Sequence, residues 1–334
     1  MQTLKFIFIV GSSRSGTTMM SRVLANHSEV HTFGELHFFS QIFSKQKKTK
    51  LEYLDALNIL SELFKRQRYG LFSKKEASDF LDLSKKILLK KSYKILEVFR
   101  LFVEYELKEK QKKIACFHTP NNIYYVDEIQ HEFSNSKFIN MVRDNRDVLL
   151  SQKNKWRRKF LGAKKIPLFE SIRSHANYHP ITTSIVWNSS LKLTKKFDGS
   201  PNFYILRFED FLTSNEEKCM DLCKFLDLDF QSEMINVYNI GSSNMNDEKE
   251  KKIDVTKINK WKKGKLSKSE IYLAQIFSKS LMTYFNYKPK AFILPPLFVL
   301  YYLISFPVKI FIALIFNFNR LSVISNFLNF KERK

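Results

Sequence analysis

The sequence predicts an α/β fold in which helices cover both faces of a parallel sheet. Short, continuous apolar runs at residues 6–10, 137–142 and 202–207 are typical of strands that are buried on both faces. Segments with the apolar spacing of helices lie between these runs, and such alternation favours a parallel sheet. A loop of small residues, GSSRSGTT at 11–18, joins the first strand to a helix.

The other elements follow from the same two patterns. The Leu- and Lys-rich stretch 51–107 has helical periodicity and predicts two or three helices. Residues 242–265 are polar and Lys-rich, and we expect a surface loop there. The remaining predictions, in chain order, are a helix at 19–26, a strand at 113–117, a helix at 122–133, a helix beginning near Asp147, and helices at 187–197 and 216–226.

The charge balance favours anionic partners. The 334 residues include 56 Lys and Arg against 33 Asp and Glu, a formal net charge of +23. Nucleotides, acidic lipid and acidic polysaccharide all suit this excess, and a solvated Lys-rich surface also explains it. The three cysteines, Cys116, Cys219 and Cys223, do not form a disulfide pattern, so we expect a reducing compartment. The sequence has no cluster with metal-ligand spacing, and neither a metal nor a nucleic-acid partner is expected.

The loop at residues 11–18 has the setting of an anion site. It follows a strand and opens a helix, whose first backbone N–H groups and dipole favour a phosphate. Its two glycines have Walker A spacing, but Thr17 stands in place of the Lys, which disfavours a kinase or ATPase. A turn without a ligand is the alternative. The predicted anion-binding residues are Ser13, Arg14, Ser15, Gly16, Thr17 and Thr18.

A second candidate element is KFINMVRDNRDVLLSQ at 137–152. Arg143 ends the predicted strand, and Ser151 lies eight residues later on the next helix. The guanidinium fork of Arg143 suits two phosphate oxygens, and Ser151 adds a neutral donor. The alternative is an ion pair between Arg143 and the nearby Asp144 or Asp147.

In this order, the two elements resemble those of the sulfotransferases that use 3′-phosphoadenosine 5′-phosphosulfate (PAPS). The layout is most similar to bacterial sulfotransferases and tyrosylprotein sulfotransferases. RSGTT looks like the family's loop for the 5′-phosphosulfate, and Arg143 with Ser151 looks like its clamp for the 3′-phosphate. Weaker matches are LRFEDFL at 206–212, KFLDLDF at 224–230 and INKWKKGKL at 258–266, the last of which implies that Lys260 approaches the nucleotide.

The resemblance spans about residues 5–288 and carries specific implications. It implies a P-loop-type three-layer sandwich around the parallel sheet, PAPS as co-substrate, and sulfuryl transfer to an acceptor hydroxyl without a metal. The acceptor class stays open between carbohydrate, lipid, protein tyrosine and small metabolite. The oligomeric state also stays open.

Three residues have implied catalytic roles. Glu35 in GELHFF at 34–39 resembles the Gly-Glu of tyrosylprotein sulfotransferases, in which the Glu is the general base. His31 and His37 are rival bases. Arg14 would hold the transferred group. The family commonly carries a Lys before a Thr-Pro or Asp-Pro, and CFHTPNN has His118 at this position. A neutral His118 would donate one hydrogen bond to the transferred group, and a protonated one would replace part of the Lys charge. Because of this departure, a basic nucleotide- or glycan-binding protein without transferase activity is the alternative function.

The C-terminal composition predicts a second unit. Residues 291–308 carry no charge, Lys309 interrupts, and the apolar run continues to 318, close to the roughly 20 residues of a membrane span. Pro295, Pro296 and Pro307 disfavour one straight helix. The alternatives are a membrane span, a broken helical hairpin, a helix at the membrane interface, and a tail packed on the domain or in a dimer.

We therefore predict a catalytic domain at 1–290 and a hydrophobic, membrane-associated segment at 291–334. Basic flanks suit an anionic membrane surface. The MQTLKFIFIV start lacks a cleavage site, which favours the cytoplasmic side of a bacterial membrane, where the donor nucleotide is made.

Overall fold

A computed structural model describes residues 4–45, 50–161, 163, 166–237 and 253–318. The strands in this part of the chain form one five-stranded, fully parallel sheet in the order β2-β3-β1-β4-β5. Their bounds are Lys5–Gly11 (β1), Val30–Thr32 (β2), Ile114–Phe117 (β3), Ser136–Val142 (β4) and Phe203–Arg207 (β5). The predicted parallel α/β architecture is confirmed. Strand β2 was not predicted, because it has only three residues and is partly exposed.

Helices occupy the connections between the strands. The bounds are α1 (Thr17–Ala25), α2 (Tyr53–Tyr69), α3 (Leu81–Ile87), α4 (Ile95–Glu109), α5 (Val126–Glu132), α6 (Asn145–Lys153), α7 (Leu168–Ala176), α8 (Pro180–Lys196), α9 (Phe208–Thr213), α10 (Asn215–Leu226), α11 (Lys268–Tyr284) and α12 (Val299–Phe316). The helix predicted at 122–133 is a 3₁₀ helix, Pro120–Tyr125, followed by α5. Helix α8 begins earlier than predicted, since Pro180 suits the first helical position.

The two faces of β1 build two separate cores. Successive side chains of a strand point to opposite faces, so Phe6, Phe8 and Val10 pack against α2 and α4. Ile7 and Ile9 pack against α1 and α10 on the other face. These two layers of helices around the sheet complete the three-layer sandwich.

Strand β1 lies where the chain changes direction across the sheet. Its neighbours are β3 on one side and β4 on the other, and ligands of open α/β sheets bind at such a switch point, outside the carboxyl ends of the strands. Gly11 allows the end of β1 to lie close to β4, because a Cβ at this position would lie 2.4 Å from the carbonyl oxygen of Met141 on β4. The loops that follow β1 and β4 therefore meet.

Helix α12 runs through Pro307 without ending. The break that the prolines suggested is therefore absent from residues 299–316, and Pro295 and Pro296 precede the helix. Among the described residues, α12 is the one helix long and apolar enough to cross a membrane. Residues 242–252 of the predicted surface loop and 319–334 of the predicted tail lie outside the described residues.

Candidate active site

The loop between β1 and α1 is shaped by two residues with positive φ. Gly16 begins α1 with a φ of 101°, and a Cβ there would lie 2.4 Å from the ring of Phe208. Arg14 also adopts a left-handed φ of 75°. The hydroxyl of Ser15 is buried and has no hydrogen-bond partner among the described residues. This loop has the tight curvature, the helix N-terminus and the spare donor of an anion cradle.

Both predicted phosphate elements meet at Arg14. Its Nε donates to the Ser151 hydroxyl at 2.8 Å, and Arg143 Nη1 donates to the Arg14 carbonyl oxygen at 3.2 Å. Burial lowers the pKa of Arg14 to about 10, with further lowering by the charges of Arg158 and Arg143, while Glu35 raises it. Arg14 therefore stays protonated at neutral pH beside two other arginines.

The side chain of Arg143 is held mainly by backbone groups and an aromatic ring. Its Nη2 donates to the Lys257 carbonyl oxygen at 3.1 Å, and its guanidinium lies 4.3 Å from the centre of the Phe208 ring. The nearest carboxylate oxygen, on Asp147, is 3.9 Å away. Its Nε is buried with no hydrogen-bond partner among the described residues. This arrangement leaves a positioned guanidinium with donor capacity to spare.

The two aspartates close to Arg143 in sequence differ in their partners. Asp144 pairs with Arg146 at 2.6 Å, and both side chains are buried. Asp147 Oδ1 accepts from the backbone N–H of Trp261 at 2.9 Å. The local ion pair considered from the sequence is therefore formed with Asp147, at a long distance of 3.9 Å, whereas Asp144 pairs with Arg146.

The segment that contains Lys260 also brings positive charge close to Arg143. The pKa of Lys257 is lowered, mainly by burial. The charge of Asp254 opposes this shift, and the charges of Lys260, Arg143 and Arg22 add to it. Lys260, predicted from the sequence, thus belongs to a basic cluster with Arg143. Lys257 and Arg22 were not predicted, because neither stands in a recognisable motif.

Glu35 lies in the turn that follows β2. The turn is fixed to α2 by two contacts: Gly34 N–H donates to Gln67 Oε1 at 3.0 Å, and Arg66 Nη1 donates to the Leu36 carbonyl oxygen at 2.7 Å. The Glu35 side chain is 46% exposed, so its carboxylate is accessible.

The charge state of Glu35 follows from its neighbours. Burial raises its pKa, but the adjacent ring of His37, 3.6 Å away, and the charges of His118 and Arg158 lower the pKa to about 2. The group is a carboxylate throughout the physiological range and is able to accept a proton.

The three histidines near this turn differ in environment. Burial lowers the pKa of His118, with Glu35 and a backbone hydrogen bond at Phe33 opposing, and its Nδ1 is buried without a hydrogen-bond partner among the described residues. His118 is therefore neutral near pH 7. Burial lowers the pKa of His31 to about 4, and its ring packs on Phe33 at 4.7 Å. His37 is the histidine in contact with Glu35.

Two basic residues that the sequence did not single out lie in the same cluster. Lys155 and Arg158 belong to a 3₁₀ helix, Lys155–Leu161, that follows α6. Side chains three residues apart lie on one ridge of a 3₁₀ helix. Burial lowers the pKa of Lys155 to about 8, the charges of Arg14, Arg173 and Arg158 lower it further, and Glu35 raises it. Their only sequence signal is their position four and seven residues after Ser151.

The described residues contain no group of three or more His, Cys, Asp or Glu side chains that could hold a metal ion. The cluster is built instead from cations around one carboxylate. Such a set of donors suits anionic ligands.

The sequence model of the sulfotransferase family matches residues 7–232, more than half of the chain. The chain belongs to the sulfotransferase family. As a member, it is a sulfotransferase enzyme, and its reaction is the transfer of a sulfuryl group.

Individual relatives agree with this assignment. The sulfotransferase is 22% identical over 237 residues to a predicted protein-tyrosine sulfotransferase of Caenorhabditis briggsae, covering 70% of this chain and 69% of that protein. A sulfotransferase domain from the curacin biosynthetic pathway has a TM-score of 0.54 at 19% identity, over 87% of this chain and 99% of that domain. The sulfotransferase domain of the Synechococcus PCC 7002 olefin synthase has a TM-score of 0.55 at 17% identity, over 86% of this chain and 96% of that domain. At these identities the two structures establish the shared fold.

Proposed function

We propose that this sulfotransferase takes its sulfuryl group from PAPS and transfers it to an acceptor hydroxyl, with Glu35 as the general base. The observation that carries the proposal is the meeting of two phosphate elements that are distant in sequence. Arg143 donates to Arg14 across 129 residues, and Arg14 donates to Ser151 across 137. A nucleotide with phosphates at both its 5′ and 3′ ends matches two adjacent cradles, whereas ADP would leave one of them idle.

The residues divide between the two ends of the nucleotide. The backbone amides and hydroxyls of residues 13–18, together with Arg14, would hold the 5′-phosphosulfate. Arg143 and Ser151 would hold the 3′-phosphate, with Lys257 and Lys260 adding charge. The unpartnered Ser15 hydroxyl and Arg143 Nε are donors available for these anions.

The chemistry follows from the charges around Glu35. Its carboxylate would accept the proton of the acceptor hydroxyl while that oxygen bonds to sulfur. The bond between sulfur and the bridging oxygen breaks, and the 5′-phosphate keeps the electron pair. Arg14, Lys155 and Arg158 would offset this charge with groups already in place. His118 is neutral and would donate at most one hydrogen bond, so Lys155 takes over the role of the cation that the family carries at that position.

Binding of 3′-phosphoadenosine 5′-phosphate (PAP) tests the donor assignment. We expect the enzyme to bind PAP more tightly than ADP, and Arg143→Ala to lose about 1.5–3 kcal/mol of PAP binding, because a hydrogen bond to a charged group is lost. Calorimetric titrations of both proteins with both nucleotides measure this. Arg100→Ala, which removes an exposed arginine paired with Glu132 instead, serves as a matched control and should leave PAP affinity unchanged. Equal wild-type affinities for PAP and ADP would overturn the assignment.

We also propose that the protein is attached to a membrane, with the catalytic domain on the cytoplasmic side. The apolar helix α12 supports the attachment, and the three free cysteines suit a reducing compartment. One face of the helix is exposed, carries no charged side chain and is apolar except for the hydroxyl of Tyr301. Its members are Leu300, Tyr301, Leu303, Ile304, Pro307, Val308, Ile310, Phe311, Leu314 and Ile315. Leaving such a face in water is unfavourable by about 25 cal/mol per Å² of apolar surface.

Charged substitutions on the exposed face of α12 should detach the protein. We expect the double variant Ile304→Lys with Phe311→Lys to bind vesicles of phosphatidylcholine and phosphatidylglycerol at least about tenfold more weakly, a change of about 1.4 kcal/mol or more. Flotation on a density gradient measures the bound fraction. Leu54→Lys changes an equally exposed apolar residue on α2 and should bind as wild type does. Unchanged flotation of the double variant would contradict attachment through α12.

A further inference from the structure

The 3₁₀ helix Lys155–Leu161 carries two kinds of side chain, cations at Lys155 and Arg158 and exposed apolar side chains at its carboxyl end. Lys155 and Arg158 act electrostatically on Glu35 and Arg14. Phe160 and Leu161 are 63% and 50% exposed. The helix rises about 2 Å per residue, so Phe160 lies about 10 Å along the axis from Lys155. An apolar surface therefore begins beside the candidate active site.

Helix α7 continues that surface to α12. Leu168, Phe169 and Ile172 are about half exposed. The ring of Phe169 lies 5.8 Å from that of Phe316, and Arg173 Nη1 donates to Asn317 Oδ1 at 2.8 Å. These contacts fix the carboxyl end of α12 to α7.

Aromatic packing in turn fixes α7 to the 3₁₀ helix. The ring of Trp156, next to Lys155 in sequence, lies 5.8 Å from that of His175 on α7. The candidate active site, α7 and α12 are thus held in one arrangement.

Helix α12 packs side-on against the catalytic domain along its length. Near its start, Tyr302 and Phe306 lie 5.6 and 5.4 Å from the ring of His179, and near its end Asn317 exchanges amide hydrogen bonds with Asn177. A helix held this way lies beside the domain, as monotopic helices do at a membrane interface. Its exposed face, together with Phe160, Leu161, Leu168, Phe169 and Ile172, forms what we term the apolar platform.

The exposed charges beside the apolar platform are positive. The described residues 153–161 carry five Lys and Arg and no Asp or Glu, residues 271–318 contain no acidic residue, and Glu170 on α7 is buried and paired with Arg173. Exposed Lys288 and Lys290 precede the apolar run. Anionic lipid attracts each such charge by about 1 kcal/mol near the surface. An apolar surface bordered by cations fits a bilayer with anionic headgroups.

We infer that the acceptor is a hydroxyl in the headgroup of a membrane lipid, presented to Glu35 from the bilayer on which the apolar platform rests. This inference rests on the proposed sulfuryl transfer from PAPS. Interfacial helices bury their apolar face about 5–10 Å into the boundary between headgroups and acyl chains. Phe160 of the apolar platform and Lys155, which interacts with Glu35, belong to one short 3₁₀ helix, so a glycosyl or glycerol hydroxyl among the headgroups would lie near the exposed Glu35 carboxylate.

The test uses the full-length enzyme and radiosulfur-labelled PAPS. The lipid probe is vesicles of phosphatidylcholine, phosphatidylglycerol and monogalactosyl diacylglycerol; the soluble probes are methyl galactoside and a tyrosine peptide at equal hydroxyl concentration. We expect label in the organic extract, at a rate at least tenfold above that of the soluble probes. Phe160→Ser with Phe169→Ser should lower this rate at least tenfold at unchanged PAP affinity. Leu89→Ser, at a 72% exposed residue outside the platform, should change neither quantity.

The outcomes separate this inference from the proposed function. Label in the soluble probes but not in lipid overturns the lipid acceptor and leaves sulfuryl transfer from PAPS standing. Lipid labelling that the Phe160 and Phe169 substitutions leave unchanged also overturns it. Selective PAP binding without labelling of any probe overturns the lipid acceptor while the donor assignment holds. If PAP is not preferred over ADP and no probe is labelled, the proposed function itself fails and this inference fails with it.

Discussion

Replacing Glu35 by Gln is expected to lower turnover by about 10²–10⁴, the range for loss of a general base, while leaving PAP affinity nearly unchanged. The substitution keeps the size and shape of the side chain and removes only its ability to accept a proton. Initial rates at saturating PAPS give the turnover, and calorimetry gives the PAP affinity. Glu104→Gln, at an exposed position on α4, is the matched control.

The pH dependence refines this expectation. His37, His118 and Arg158 keep the pKa of Glu35 at about 2 against the opposing effect of burial. Glu35 becomes protonated only as the pH falls through that value. We therefore expect that protonation of Glu35 causes no fall in the rate between pH 7 and pH 5. A Gln variant that turns over normally would place the base elsewhere, and His37, His31 and His118 would then be replaced in turn.

Replacing Lys155 by Met should lower turnover by about 10²–10³, comparable to the loss of one preorganised group that stabilises transition-state charge. The reason is that His118 is neutral where the family commonly carries a Lys, so the cluster depends on Lys155, Arg158 and Arg14 for positive charge. Lys192→Met, at an exposed site on α8, is the control.

Lys155 should also set an alkaline limit. Burial and the neighbouring arginines lower its pKa to about 8, so the ammonium is present below that pH and is lost as the pH rises through it. We expect kcat/KM, which reports the free enzyme, to fall above about pH 8. Lys155→Arg keeps its positive charge above pH 8. We expect this variant to be more active than Lys155→Met and to show no fall of kcat/KM above about pH 8. If Lys155→Met retains both the wild-type rate and the limb, the charge comes from Arg158 or Arg14 instead.

Features that are contiguous in the chain could be predicted from the sequence. Strand β1, the loop at 11–18 and α1 follow one another directly, so apolar runs, glycines and helical spacing identify the strand, loop and helix together. Arg143 at the end of β4 and Ser151 on α6 belong to a second contiguous unit. The family and its fold followed from these two units.

Only the tertiary structure decided which distant groups meet and which charges they carry. Ser151 is bonded to Arg14, 137 residues away, and Arg143 to the backbone of Lys257, 114 residues away. Lys155 joins the cluster around Glu35 only because α6 and the 3₁₀ helix after it pack beside the loop at 11–18. Burial, which depends on the packing of the whole domain, makes His118 neutral and lowers the pKa of Lys155.

The sequence by itself predicted four of the five described strands, the loop at 11–18 and the apolar composition of the tail, because each depends on local residue order. It left open whether the tail spans a membrane, lies on it or packs on the domain, because apolar residues occur on every side of the helix and Lys309 alone carries a charge. Tertiary contacts with His179, Asn177 and Arg173 give α12 a docked face and an exposed face. Those contacts come from residues more than 100 positions earlier in the chain, and no local pattern encodes them.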